Sequence, residues 1–266
     1  MRAVVILSVY NGSSFLHQQL DSLLNQTYPD FYVLIRDDGS TDSSLSIICD
    51  YALKYPHRFF VSVSLPSINI GVNRSFQALL SEANADLYFF SDQDDIWFPH
   101  KIEIFVSTFL QFDNFQSRCL AIICDSIIYP GSKQSFFGIV SLEQYLSSSE
   151  SPVKYRRRLS DLYRNKIQGC ALCINAPLAT RVSQFPSSPQ LYDWHIFIFA
   201  ILYDCLWLIP KPLQIYRQHP GNYVGAYNPS ETFARRLIRV LRAMSYLYFF
   251  LIKLFFNTLV RLSTDR

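Results

Sequence analysis

Residues 87–95 read Leu87-Tyr88-Phe89-Phe90-Ser91-Asp92-Gln93-Asp94-Asp95, a short apolar run passing straight into a cluster of carboxylates. An apolar run of this length, rich in aromatics and closed by a polar turn, is the pattern of a buried strand. Working outward toward the N-terminus, the same unit recurs. Residues 3–8 form a β-branched run bounded by Asn11-Gly12. Ser13 or Ser14 can cap a following helix, with Phe15, Leu16, Leu20, Leu23 and Leu24 on one face, and Tyr28-Pro29 stops it. Residues 32–36 read as a second strand, ending in Asp37-Asp38-Gly39-Ser40-Thr41-Asp42, and a helix runs on to about Lys54. Residues 59–64 alternate as a third strand, and Phe76, Leu79, Leu80 and Ala83 mark another helical face. Strand and helix thus alternate up to the strand at 87–90, which predicts a Rossmann-like α/β fold with a mainly parallel sheet flanked by helices. Such sheets bind ligands at the carboxyl ends of their strands. Both acidic clusters lie there.

The second half is less regular. Residues 120–129 and 167–174 have strand character, 194–202 suit a buried helix, and 206–209 and 213–216 suit two short strands. Residues 141–166 mix serines with charges and read as a loop. With no internal repeat and no clean linker, the expectation is one catalytic domain over 1–228 and a C-terminal tail over 229–266.

Composition narrows the class. The 266 residues are 50% hydrophobic and 17% charged, ample for a core and too apolar for global disorder. A net charge of +3 is too small to suggest a nucleic-acid partner. The six cysteines lack a disulfide-scaffold spacing, and the Cys170-x-x-Cys173 pair has no second pair at a zinc-site distance. They are expected to be reduced and mostly buried. The apolar start ends at Tyr10-Asn11-Gly12, too short for a signal peptide, which points to the cytoplasm.

The chemistry-bearing motifs are few. There is no G-x-G-x-x-G, P-loop, H-E-x-x-H or G-x-S-x-G, so phosphate handling must rest on a metal held by carboxylates. The Asp92-x-Asp94 pair offers that: crowded carboxylates repel unless a cation sits among them, and Mg²⁺ or Mn²⁺ takes one or two carboxylates plus phosphate oxygens. A solvated turn is the competing reading. For Asp37 to Asp42, a turn plus helix cap explains most of the pattern, while an Asp at the strand end could instead accept the imide N–H of uracil or thymine. The residues alone do not separate these.

Four stretches, Ile6-Leu7-Ser8-Val9-Tyr10-Asn11-Gly12, Gln26-Thr27-Tyr28-Pro29, Arg36-Asp37-Asp38-Gly39-Ser40-Thr41-Asp42 and Ser91-Asp92-Gln93-Asp94-Asp95-Ile96-Trp97, closely resemble family 2 glycosyltransferases of the GT-A fold. The S-D-Q-D-D-x-W form resembles the bacterial rhamnosyltransferase-like branch that builds O-antigen and capsule polysaccharides. Asn69-x-Gly71, Asn165-x-x-x-Gly169-Cys170, Tyr192-Asp193-Trp194 and Tyr216-Arg217-Gln218-His219 extend the likeness, in the family's order, over roughly 3–226.

The resemblance implies roles. Ser8 and Tyr10 would line the base and ribose pocket, and Asp38 would hydrogen-bond the pyrimidine. Asp94 would be the direct ligand of Mg²⁺ or Mn²⁺, with Asp92 nearer the ribose. Asp193 would be the general base. His219 or Arg217 would approach the metal-diphosphate from the far side. Physical logic runs alongside: a departing diphosphate needs its charge stabilised, and an attacking hydroxyl needs a carboxylate to take its proton. Asp193 precedes an uncharged run, so it sits near the N-terminus of a buried helix, where the ionised form is favoured; simple helix capping is the alternative. Trp97 reads as a core anchor, and Trp194 as core or a sugar-stacking ring. Where the family often has a second aromatic, this chain has His195, which either alters acceptor preference or faces the sheet. His17, His57 and His100 read as exposed.

In the tail, Arg235, Arg236, Arg239 and Arg242 recur at helical spacing beside Leu237, Ile238 and Leu241. The uninterrupted apolar stretch 243–252 is shorter than the roughly 20 residues that span a bilayer. A basic amphipathic helix lying on an anionic membrane surface fits, with packing on the domain or a second subunit as the alternative. The expectation is a metal-dependent inverting glycosyltransferase at the inner face of the cell membrane. Its donor is dTDP-rhamnose by branch resemblance, or a UDP-sugar, and its acceptor a glycan or lipid-linked oligosaccharide. A metal-dependent nucleotidyl- or phosphotransferase and a non-catalytic nucleotide-sugar binder are the rivals.

Overall fold

The alternating apolar residues of the first strand explain the layering. In β1 (Ala3–Val9), Val4 and Ile6 point to one face of the sheet and Ala3, Val5, Leu7 and Val9 to the other, and all six are fully buried. A strand buried on both faces must be covered by helices on both sides. We analysed a computed structural model, which describes residues 1–63, 68–129, 151–156, 167–183 and 192–219.

The described elements run in order β1, α1 (Ser13–Leu24), β2 (Phe31–Asp37), α2 (Ser44–Lys54), β3 (Phe59–Val61), α3 (Val72–Glu82) and β4 (Leu87–Ser91). Then follow β5 (Ile96–Trp97), α4 (Lys101–Phe109), β6 (Ala121–Tyr129), β7 (Val153–Lys154) and a 3₁₀ turn at Gly169–Ala171. β8 (Leu172–Asn175), α5 (Ala176–Ser183), α6 (Tyr192–Leu202) and β9 (Leu206–Arg217) complete them. All strands join one sheet, in the order β3-β2-β1-β4-β8-β6-β9-β5, with β7 also on β9. The first four strands are parallel, as expected. β8 inserts antiparallel between β4 and β6, while β6 and β9 are parallel to each other. One face buries Phe76 and Leu79 of α3 and most of α6. The other buries Leu16, Leu20 and Leu23 of α1, and Phe105 and Phe109 of α4. Each such side chain contributes roughly 1.5–3 kcal/mol of transfer free energy.

Several expectations need correction. Neither Ser13 nor Ser14 caps α1; Gly12 holds that position without a side-chain bond, and the Ser13 N–H donates instead to Asp42 Oδ2 at 3.0 Å. The two short strands expected over 206–216 are one continuous β9, kinked against β6 around Asp125 where the register shifts. The strand expected over 167–174 begins as the 3₁₀ turn and is β only from Leu172. β5, α4, α5 and β7, which lies within the expected loop over 141–166, were not anticipated. All six cysteines are free and four are buried. His17, His57 and His100 are exposed. The tail over 229–266 and most of the loop over 141–166 lie outside the described residues. Among the described residues no helix is long and apolar enough to cross a membrane.

Candidate active site

The two acidic turns close the two parallel strands that flank β1 and differ in what surrounds them. At the end of β2, the Asp37 carboxylate accepts the N–H groups of Gly39 and Ser40 at 3.1 and 3.0 Å. Asp38 is 2% exposed; Oδ1 accepts from Ile70 N at 2.9 Å and Arg36 Nη2 at 3.3 Å, and Oδ2 from Gly71 N at 2.9 Å. Gly39 has φ +79°, and a Cβ there would stand 2.7 Å from the Asn69 nitrogen, so the turn admits only glycine. Asp42 bridges the starts of two helices, accepting from Ser13 N and Ser44 N. Burial raises its pKa, but the Ser44 and Ser13 hydrogen bonds outweigh this and bring it to about 2. This turn is built by its carboxylates.

The turn after β4 has no such supply of donors. Asp92 is half-buried; burial first, then the charges of Asp95, Asp94 and Asp193, push its pKa well above the usual carboxylate range. Asp95 is fully buried, has no hydrogen bond of ordinary geometry to either carboxylate oxygen, and is pushed up to about 7 by burial and by Asp94. Asp94 is 8% exposed and lies 2.7 Å, Oδ2 to Nε2, from His219, which stacks on Phe15 of α1. Between them Gln93 reaches back to β1: its Oε1 accepts from Tyr10 N at 2.7 Å and its Nε2 donates to Tyr10 O at 3.0 Å. The acidic turn and the end of β1 are thereby tied together.

Asp193 faces this turn from the first turn of α6. It is buried, and its Oδ1 accepts from Trp194 N at 2.6 Å. Its neighbour Tyr192 is wedged between Phe76, with centroids 3.9 Å apart, and Phe90, at 5.3 Å. The Tyr192 hydroxyl reaches Gly169 so closely that a Cβ there would lie 2.0 Å from it. Glycine at 169 is therefore a requirement of α6 docking. Below the turn, Lys101 is 1% exposed, donates from Nζ to the Cys170 carbonyl at 2.7 Å and to Gln214 Oε1, and lies 3.5 Å from the Trp97 ring centroid.

Among the described residues one set of ligand atoms is close enough together to hold a cation as it stands. The ligand atoms of Asp92, Asp95 and Cys170 lie within 4.8 Å of one another. Burial pushes the Cys170 thiol well above its ordinary value, so it stays protonated and is no ligand for a hard ion such as Mg²⁺ or Mn²⁺. Asp94 and His219, 2.7 Å apart, add a carboxylate and an imidazole beside Asp92 without closing into so tight a cluster, and crowded carboxylates are relieved by a cation. The donor chemistry fits Mn²⁺ or Mg²⁺.

Of the expected site residues, the structure brings Asp92, Asp94, Asp193 and His219 into one neighbourhood. Arg217 instead turns to α1, where it donates to Gln18 Oε1 and lies 5.3 Å from the Phe15 ring centroid. Ser8 is half-buried, in register with Arg36 on β2, and Tyr10, just past the end of β1 and bonded to Gln93, is 46% exposed. Asp38 acts in the first turn as a structural acceptor, leaving any contact to a base to share oxygens already engaged. Trp97 and Trp194 are core, at 2% and 4% exposure. His195 is buried against Phe199, and burial lowers its pKa to about 4, so it is an uncharged core residue. Sequence reasoning placed Asp95 in the acidic cluster without giving it a role, and missed Lys101 and Gln214, whose partners are remote in the chain.

The Glycosyl transferase family 2 model matches residues 4–176. The dTDP-rhamnosyl transferase RfbG of Shigella flexneri is 30% identical over 233 residues, 83% of this chain and 74% of that protein. The uncharacterized glycosyltransferase RP339 of Rickettsia prowazekii is 24% identical over 206 residues, 75% of this chain and 60% of its own length. Among solved structures, S. aureus TarS 1-349 in complex with UDP-GlcNAc superposes with a TM-score of 0.63 at 18% identity, over 84% of this chain and 60% of that one. The mannosyltransferase PcManGT from Pyrobaculum calidifontis, in complex with GDP-Man and Mn2+, gives 0.55 at 18% identity, over 84% and 58%. These structural likenesses show the fold. The chain spans about three fifths of the length of several of these relatives.

Proposed function

This chain belongs to glycosyl transferase family 2, and on that premise we propose that it moves a sugar, with inversion, from a pyrimidine nucleotide-diphosphate donor to a glycan or lipid-linked acceptor. The observation that carries the reading is the turn after β4, where burial and the charges of neighbouring carboxylates, Asp193 among them, push Asp92 well above the usual carboxylate range. Asp94, Asp92 and His219 would hold Mg²⁺ or Mn²⁺, and Asp92 would also reach the ribose. When bound, that cation offsets the charge growing on the departing diphosphate. Asp193 accepts the proton of the attacking hydroxyl, and its buried helix start, wedged by Tyr192, fixes where that proton goes. Tyr10, exposed beside the acidic turn, stacks on the base; Ser8 and Asp38 line the nucleoside pocket, and Arg217 flanks the diphosphate.

The likeness to a dTDP-rhamnosyl transferase supports dTDP-rhamnose as donor, with UDP-sugars as the second choice, and a place in cell-surface polysaccharide synthesis such as O-antigen or capsule. The basic tail over 229–266 seats the enzyme on the inner face of the cytoplasmic membrane, next to a lipid-linked acceptor. Full-length chain should sediment with anionic liposomes and a chain ending at Asn228 should not.

A thermal-melt panel of nucleotide sugars with and without Mn²⁺ tests the core of the reading. A pyrimidine nucleotide sugar at a hundred times its Kd should stabilise by about 2.7 kcal/mol, and only with the metal present. Asp193→Asn should then abolish sugar transfer while leaving that stabilisation intact. Sugar transfer that survives Asp193→Asn would remove Asp193 as the base, and donor binding with no sugar transfer even in wild type would favour a nucleotidyl- or phosphotransferase or a non-catalytic binder. Absence of any Mn²⁺-dependent shift would sink the site.

A further inference from the structure

An ammonium group in a protein interior is costly unless each of its protons finds a partner. Lys101 is 1% exposed and belongs to no motif used above. Its stem leaves the first residue of α4, and its Nζ lies 3.5 Å from the Trp97 ring centroid. Nζ donates to the Cys170 carbonyl at 2.7 Å and to Gln214 Oε1. Gln214 is itself fully buried, and its Nε2 donates onward to Ser126 Oγ at 3.0 Å and toward Cys170 Sγ at 3.1 Å. A single side chain on α4 therefore joins β5, the 3₁₀ turn and β9.

The 3₁₀ turn is the important end. Gly169, next to Cys170, is the residue against which the Tyr192 hydroxyl rests. Tyr192 is clamped on its other sides by Phe76 and Phe90, and its N–H donates to Asn73 Oδ1 at 2.9 Å. Its height above the sheet is thus set by where Gly169 lies, and Asp193 is its covalent neighbour. We infer that Lys101 is a positioning residue for Asp193, acting through the Cys170 carbonyl, Gly169 and the Tyr192 hydroxyl. This rests on the role of Asp193 proposed above. A part in cation binding is the rival role, because the Cys170 side chain also lies beside Asp92 and Asp95 and the Lys101 charge acts on Asp95; Mn²⁺ affinity separates the two.

The test compares wild type with Lys101→Met in acceptor-free hydrolysis of whichever nucleotide sugar the melt panel selects, at a temperature where both are fully folded. Mn²⁺ affinity is read separately, without turnover, from loss of the free-ion paramagnetic resonance signal. The expected result is a fall of tenfold or more in kcat, with donor KM and Mn²⁺ Kd within threefold of wild type. A small displacement of a catalytic group is enough for such a loss. Gly169→Ala, which pushes on the far end of the link, should show the same signature. A kcat within twofold of wild type in folded Lys101→Met overturns the inference, as does a parallel weakening of Mn²⁺ binding, which would place the residue's effect on the acidic turn. If Lys101→Met gives no cooperative melt, Gln214→Leu keeps the ammonium, removes one of its acceptors, and decides by the same measurements, with a three- to tenfold kcat loss expected. A wild-type chain that neither binds Mn²⁺ nor hydrolyses any donor refutes the proposed function instead, so the two failures are distinguishable.

Discussion

The two acidic turns share composition and position yet have opposite electrostatics. After β2, Asp37, Asp38 and Asp42 accept backbone N–H groups and an arginine, and Asp42 is held at about 2. After β4, burial and mutual repulsion push Asp92 and Asp95 upward. Donors make the difference. The first turn spends its charge on its own backbone, whereas the second keeps charge in reserve for something that arrives from outside.

The largest expected effect lies in the second turn. Asp94→Asn keeps an oxygen for His219 but loses the charge that a cation needs. With saturating nucleotide sugar and Mn²⁺, kcat should fall by roughly 10³-fold, the scale seen when an electrostatic stabiliser is lost. Metal-free stability should barely change, since one of several repelling carboxylates has gone. An Asp94→Asn enzyme with wild-type turnover would erase the contrast between the turns.

The next effect is a pH dependence of the metal-free protein. The Asp95 carboxyl has a folded value of about 7 against 3.8 in its ordinary environment, so the folded state holds a proton that the unfolded chain has released. Stability from this group is therefore complete below about pH 4 and lost as pH rises through 7, by up to about 4 kcal/mol. Asp92 acts in the same direction, and His195, lowered to about 4 by burial, opposes both between about pH 4 and 6.5. Guanidinium melts at pH 5 and 7.5 should show Asp95→Asn gaining on wild type as pH rises. Parallel curves would show that Asp95 is ionised in the fold.

How far the sequence carried this contrast depends on where partners lie. β1 to β4 were legible because their apolar runs and bounding turns are local, and the family motifs pointed to Asp92, Asp94 and Asp193. The satisfied state of Asp38 was not, since its donors at Ile70 and Gly71 sit 32 and 33 residues away. Lys101 bonds across 69 and 113 residues, and nothing in its neighbours announces burial. β5, at two residues, is too short for any periodicity. α4 did carry a signal, since Ile102, Phe105, Val106 and Phe109 repeat at helical spacing.

A smaller effect returns to the first turn. Asp38→Asn would place an amide where Ile70 N and Gly71 N now donate, and would leave the buried Arg36 guanidinium without its counter-charge. A loss of about 3 kcal/mol in guanidinium melts is the expected scale for such charged hydrogen bonds. Because the same residue is proposed to meet the base, donor KM should rise as well. A stability loss with unchanged KM would confine Asp38 to the turn and leave base recognition to Tyr10 and Ser8.

The smallest effect is Asp42→Ala. Asp42 is exposed, and its carboxylate caps the starts of both α1 and α2 through Ser13 and Ser44. Losing a cap costs about 1 kcal/mol, and solvent screening keeps it near that figure. The sign of its pH dependence is the reverse of that of Asp95. Its folded value is depressed to about 2, so its contribution is present above 3.8 and disappears as pH falls through 2. Wild type and Asp42→Ala should therefore differ at pH 7 and converge near pH 2, while wild type and Asp95→Asn diverge toward neutral pH. If both pairs converged at the same end of the scale, the two turns would be electrostatically alike, and the acidic turn after β4 would lose its claim to a cation.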